Sequence, residues 1–179
     1  MIVIGIDPGY ERFVYSFLSV EKKSSFKVLD CGVIVTKAKD HFLERLSILD
    51  SDLRTLMNRY CSNLKKSIPC EAAVEKIFFT KNQTTATKVS EARGVVLLAL
   101  YRCGAVVREY TPLEMKKMIT GNGRASKERV MHMLTKLVPD VKLIKEDNAA
   151  DALALALCHC FSLDLPSVKW KEKQSVRLH

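Results

Sequence analysis

The chain has 179 residues, 47% of them hydrophobic, and a formal net charge of +9. That length suits one domain with a real core, and that composition excludes an intrinsically disordered chain. No apolar stretch approaches the length of a membrane span, and the positive balance points to a polyanionic partner, of which nucleic acid is the commonest.

Met1 leads directly into Ile2, Val3, Ile4 and Ile6, which read as a buried strand over 2–7. The turn Asp7-Pro8-Gly9 ends it. The run lacks a basic leader and contains Asp7, so it is not read as a signal peptide, and the cytoplasm is the expected compartment. Two further strands are expected near 13–20 and 26–36, with Lys22, Lys23, Ser24 and Ser25 between them as in a hairpin. Asp40 is placed to cap a helix reaching about residue 66, in which Phe42, Leu46, Leu49, Leu53, Leu56 and Tyr60 recur at three- and four-residue steps.

Pro69 stops that pattern, and 71–77 reads as a short strand carrying Glu75. A polar loop over 80–85 leads to a helix over 88–102, and 105–110 forms another strand. Pro112 opens a short helix that Gly121-Asn122-Gly123 breaks. Ser126 caps a helix to about 137, and a last helix covers 147–161. From Ser162 the chain turns polar and basic, with Lys169, Lys171, Lys173 and Arg177 around Trp170. The expected organisation is one domain over 1–161 and a flexible basic tail over 162–179. Strands first, then strands alternating with helices, predict an α/β fold with a mixed sheet and helices on its faces.

The six cysteines (31, 61, 70, 103, 158, 160) sit among apolar neighbours and read as reduced, packed thiols. Cys158, His159 and Cys160 are adjacent on a helix and face different directions, so they do not make a zinc site. The carboxylates are more telling. Asp7 ends one apolar strand, Glu75 follows Ala72, Ala73 and Val74 on another, and Asp151 interrupts a nearly continuous apolar helix from Ala149 to Leu157. Acids in buried-looking segments are costly unless paired, hydrogen-bonded or bound to a cation. Asp7 alone reads as a turn residue, Glu75 as an edge-strand surface group and Asp147 or Asn148 as a helix cap. Asp151 resists such a reading, because its neighbours on all sides are apolar. Together they suggest a Mg²⁺ or Mn²⁺ site, because hard ions prefer oxygen donors and such ions assist phosphodiester hydrolysis. Asp147 and Asn148 lie four and three residues before Asp151, near one face of the same helix, and either can complete the set.

Five motifs occur in order: Gly5-Ile6-Asp7-Pro8-Gly9, Val74-Glu75-Lys76-Ile77-Phe78, Glu91-Ala92-Arg93-Gly94, Gly121-x-Gly123-x-Ala125-x-Lys127 and Ala149-Ala150-Asp151-Ala152-Leu153-Ala154. Over residues 1 to about 161 the chain thereby resembles the bacterial Holliday-junction resolvases of the RuvC family. The resemblance implies a ribonuclease-H-like fold with a five-stranded mixed sheet. It also implies a homodimer and a Mg²⁺-dependent endonuclease, with up to two ions per subunit, that nicks opposing strands of a four-way DNA junction. The implied partner is a branch-migration helicase complex of the RuvA and RuvB type. Carried over by position, Asp7, Glu75 and Asp151 are metal ligands, and Phe78 stacks on bases. Lys116 and Lys127 stand near the scissile phosphate, while Lys81 and Arg93 fall among DNA contacts. Lys88 and Arg93 can serve either DNA or dimer contacts.

Two departures from the family pattern stand out. Asn148 replaces a fourth acid, keeping a carbonyl ligand but losing a negative charge, and Phe13-Val14 replaces a small Thr-Gly pair after the first turn. Asn148 motivates a second reading, a junction-binding protein with weakened catalysis. A phosphate-binding ATPase or sugar-kinase fold also begins with a strand ending in Asp-x-Gly. Its two lobes need a longer chain, and the 121–127 segment lacks the Gly-Lys-Ser/Thr order of a Walker loop.

Overall fold

The computed structural model describes residues 1–22, 25–61, 70–77, 83–138 and 149–164. Three strands come first: β1 (Ile2–Pro8), β2 (Arg12–Lys22) and β3 (Ser25–Val35). Helix α1 (Phe42–Cys61) connects them to β4 (Cys70–Glu75), and α2 (Gln83–Arg102) connects β4 to β5 (Val106–Tyr110). Then follow α3 (Pro112–Thr120), α4 (Lys127–Leu137) and α5 (Ala149–Asp164). The strands make one sheet in the order β3-β2-β1-β4-β5. The hairpin pairs β1-β2 and β2-β3 are antiparallel, and the pairs reached through helices, β1-β4 and β4-β5, are parallel. The mixed five-stranded sheet expected from the sequence is present.

Strand alternation divides the core in two. Ile2, Ile4 and Ile6 of β1 with Ala72 and Val74 of β4 face α1 and α2, packing on Leu49, Leu53, Met57, Val96 and Leu100. Val3 and Ala73 face the other way, onto Leu153, Ala154 and Leu157 of α5. Met115 and Ile119 of α3, with Val130 and Leu134 of α4, cover the outside of that helix. Protein lies on both sides of α5, which is why it is apolar nearly all round.

Among the described residues, three shifts in the predicted helix boundaries have a clear local cause. α1 starts at Phe42, so His41 rather than Asp40 holds the capping position; its Nδ1 accepts from the Leu43 N–H at 3.3 Å. α2 starts at Gln83, inside the stretch expected to be a loop, because Thr and Gln are polar without breaking a helix. α5 continues through Asp164, with Ser162 Oγ donating to the His159 carbonyl at 2.8 Å. The local signals on α3 and α4 hold. Thr111 and Glu114 form a capping box on α3, Gly121 ends it at φ 77°, and Ser126 caps α4.

Candidate active site

Parallel pairing puts two of the three acids side by side. Ile6 lies opposite Val74, so the next residues, Asp7 and Glu75, reach the carboxyl end of the sheet together. Both share the parity of Val3 and Ala73, so both point to the face covered by α5. Sites gather at this end of parallel strands because the chain there turns away and leaves room for a ligand.

The third acid depends on the run of α5. His159, fully buried, bonds through Nε2 to Glu71 Oε2 at 2.9 Å, at the start of β4. Glu71 to Glu75 spans roughly 13 Å of strand, and His159 back to Asp151 spans roughly 12 Å of helix. Helix and strand are therefore antiparallel, and anchoring one end brings Asp151 level with Glu75. Gly5 makes the approach possible: a Cβ there would lie 1.8 Å from the Ala152 carbonyl oxygen and 2.9 Å from Ala156 N.

The electrostatics bear out the crowding. Burial pushes the Glu75 carboxyl up to about 8, helped by the Asp7 charge, by the hydrogen bond with Asp7 and by the Asp151 charge, against a lowering pull from Lys127. Asp7 is also raised, by burial first, although the hydrogen bond from Glu75 lowers it. Below about 8 Glu75 therefore keeps a proton that it can donate to Asp7. Asp151 is met instead by an ammonium, Lys127 Nζ lying 3.6 Å from its Oδ2. In this arrangement, among the described residues, no three His, Cys, Asp or Glu side chains converge tightly enough to grip an ion. The donors gathered here are nonetheless all carboxylate oxygens, the set that suits a hard divalent cation.

Two neighbours shape the surroundings. Tyr10, just past Asp7, is held through its carbonyl oxygen, which accepts from Thr36 Oγ1 at 2.7 Å and from Arg45 Nη2 at 3.4 Å. Arg45 is itself buried, donates from Nε to Thr36 Oγ1 at 2.8 Å, and covers the Tyr10 ring. On the other flank Val14 pairs with Asp7 and packs on Ala149 and Ala152, while Phe13 points into the α1–α2 core. Val14, in place of the small residue of the family pattern, therefore forms part of the floor. A cleft of about 580 Å³ runs along α4 from Lys127 past Met131 and His132 to Asp151.

The remaining expected residues fall in different places. Lys116 sits half-buried on α3, and among the described residues no ion pair joins it to the acids. Arg93 on α2 is paired with Glu109 of β5, so its guanidinium is already engaged within the fold. Lys88 lies over the Phe42 ring, 5.7 Å from its centre, where α2 meets α1. Phe78, Lys81, Asp147 and Asn148 lie outside the described residues.

The sequence reading missed the polar network behind α5. His159 Nδ1 meets Tyr110 OH at 2.7 Å, and that hydroxyl meets Ser162 Oγ at 2.5 Å. The available signal was a histidine inside an apolar helix, which needs partners when buried.

A mixed sheet of this order, with helices on both faces and acids at the ends of adjacent parallel strands, defines a ribonuclease-H-like fold. The sequence profile described as crossover junction endodeoxyribonuclease RuvC matches residues 3–159, and the chain belongs to that family. The crossover junction endodeoxyribonuclease RuvC of Petrotoga mobilis is 43% identical over 159 residues, 89% of this chain and 93% of that protein. The structure of Thermus thermophilus RuvC in complex with a Holliday junction substrate matches with a TM-score of 0.81 at 30% identity, covering 91% of this chain and 94% of that one. The yeast mitochondrial Holliday junction resolvase Ydc2 shares the fold, with a TM-score of 0.64 at 14% identity over 88% of this chain and 77% of that one. The family assignment removes the ATPase and sugar-kinase reading.

Proposed function

We propose that this chain resolves four-way (Holliday) DNA junctions by paired, symmetric nicks during recombination and repair, using Mg²⁺ or Mn²⁺. The observation that carries the reading is the meeting of Asp7, Glu75 and Asp151 at one end of the sheet, in a chain of net charge +9. Asp7, Glu75 and Asp151 would hold the cation, with Asn148 or Asp147 completing the set. A bound ion supplies Lewis acidity to the phosphate and lowers the pKa of the attacking water.

The chain's own groups do the rest. Three acids around one proton and one ammonium concentrate negative charge that a divalent cation offsets better than either. Lys127 stands beside Asp151, mostly exposed, where its ammonium can take a phosphate oxygen and stabilise the charge that develops on it. Lys116, Lys81, Arg93 and Phe78 complete the DNA-contacting set in this reading; for Arg93 that requires release from Glu109. The junction's symmetry suits a homodimer, each subunit addressing one of two equivalent strands. An apolar groove between α1 and α2, lined by Phe42, Leu46, Gly94 and Val95 and flanked by exposed Leu43 and Leu98, supports such pairing. Branch migration by a RuvA and RuvB type complex, in the cytoplasm, completes the picture.

The deciding experiment is cleavage-site mapping on a synthetic mobile junction with Mg²⁺ or Mn²⁺. Symmetric paired nicks, lost when Asp7, Glu75 or Asp151 is replaced by its amide, are expected. Tight junction binding with no nicking under either ion would leave the weakened-catalysis reading that Asn148 motivates. Asn148→Asp is expected to lower the Mg²⁺ concentration for half-maximal cleavage, and an unchanged or higher requirement counts against Asn148 as a ligand.

A further inference from the structure

Cys61 ends α1 and Cys70 opens β4, and their Sγ atoms lie 3.0 Å apart. A disulfide bond is roughly 2.05 Å long, so about 1 Å of approach separates the pair from bonding. Both are free thiols; Cys61 is half-buried and Cys70 buried. The two cysteines stand nine positions apart, one at the end of a helix and the other at the start of a central strand, and both pack against the same core. Among the described residues no third ligand joins them to make a metal site.

We propose that Cys61 and Cys70 are a peroxide-oxidisable dithiol that closes reversibly to a disulfide, tying the end of α1 to the start of β4. The asymmetry between the two thiols supplies the order of events. A hydrogen bond from Cys70 lowers the Cys61 thiol against the opposing effect of burial, and the same bond together with burial raises Cys70. Cys61 is therefore the attacking thiolate. Its sulfur bonds to one oxygen of hydrogen peroxide, the O–O bond breaks, and the departing hydroxide takes up a proton, leaving a sulfenic acid on Cys61. The Cys70 sulfur then displaces that hydroxyl, which leaves as water with the Cys70 proton. Two thiols lose two electrons and two protons, and one peroxide becomes two waters. Cys103 packs against the same core, close enough to interact electrostatically with both thiols, but among the described residues the thiol–thiol hydrogen bond is that between Cys61 and Cys70.

Glu75 lies at the opposite end of β4, roughly 17 Å along the strand from Cys70. The bond therefore changes stability, not the acid cluster. Closing a ten-residue loop should raise Tm by roughly 5–10 °C through the entropy removed from the unfolded chain.

The test uses the full-length reduced protein, dosed with hydrogen peroxide, alkylated, and read by intact mass and a non-reducing tryptic map. Trypsin, cutting after Arg59, Lys65, Lys66 and Lys76, leaves the two cysteines on separate peptides. Expected are a species about 2 Da lighter before alkylation, two fewer alkylatable thiols, a linked pair of peptides 60–65 and 67–76, the rise in Tm, and reversal by dithiothreitol. Cys103→Ser should preserve the link, whereas Cys61→Ser and Cys70→Ser should each abolish it. Oxygen addition to single cysteines without the link, a link through Cys103, or full alkylation of both thiols after peroxide would overturn the proposal. The wild-type map decides even where a variant fails to fold.

Discussion

The proton shared by Asp7 and Glu75 is the most consequential local feature, because it couples the acid cluster to both stability and pH. In the unfolded chain Glu75 ionises near 4.5; in the fold it holds its proton to about 8. Between those values the folded state binds more protons than the unfolded one, so raising the pH lowers stability across this window, and the full loss is present above about 8. Asp7, also raised, acts in the same direction. Glu75→Gln keeps the shape and a donor for Asp7 but cannot ionise. In the presence of a chelator its Tm should equal that of the parent below pH 4.5, exceed it by a margin that grows up to about pH 8, and keep that margin constant above. The same variant should lose junction cleavage by a factor of about 100 or more. A Tm difference independent of pH would mean that Glu75 is not the group holding the proton.

Asp151 has no strand to align it, so its placement rests on how α5 lies along β1 and β4. Gly5 sets the depth of that contact and the Glu71–His159 bond sets its lengthwise position. A methyl group at Gly5 would meet backbone, which has little freedom to yield. Gly5→Ala should therefore cost about 1–3 kcal/mol of stability, measured by denaturant unfolding. It should also raise the metal concentration needed for cleavage as Asp151 moves away from the other acids. Stability unchanged within error would show that α5 does not depend on this approach. The strands and capped helices that frame the site were legible in the sequence because their signals are local: Pro112, Gly121 and Ser126 act within a turn of where they stand. The early start of α2 and the His41 cap were not legible, since polar residues that tolerate a helix look the same as those that avoid one.

Taken as one body, the protein has its acids at one end of the sheet and an apolar groove between α1 and α2 on the side away from α5. Leu98 is 47% exposed and Leu43 65%, in a chain whose net charge of +9 would otherwise keep copies apart. If that groove pairs two subunits, Leu98→Glu should yield a monomer in analytical ultracentrifugation. It should convert paired nicks into independent single ones while leaving the helix content by circular dichroism intact. A dimer that persists in this variant would move the interface elsewhere.

The three acids as candidates, the order of the elements and a mixed sheet with helices on its faces could be read from residue pattern, since each follows from periodicity or from the cost of burying a charge. Distances between segments far apart in the chain could not. The shared proton of Asp7 and Glu75, the Lys127–Asp151 pair, the engagement of Arg93 by Glu109 and the meeting of Cys61 with Cys70 arise only once the strands have paired and the helices have packed on the two faces of the sheet. No short stretch of sequence encodes such contacts, because they depend on how whole elements settle against one another.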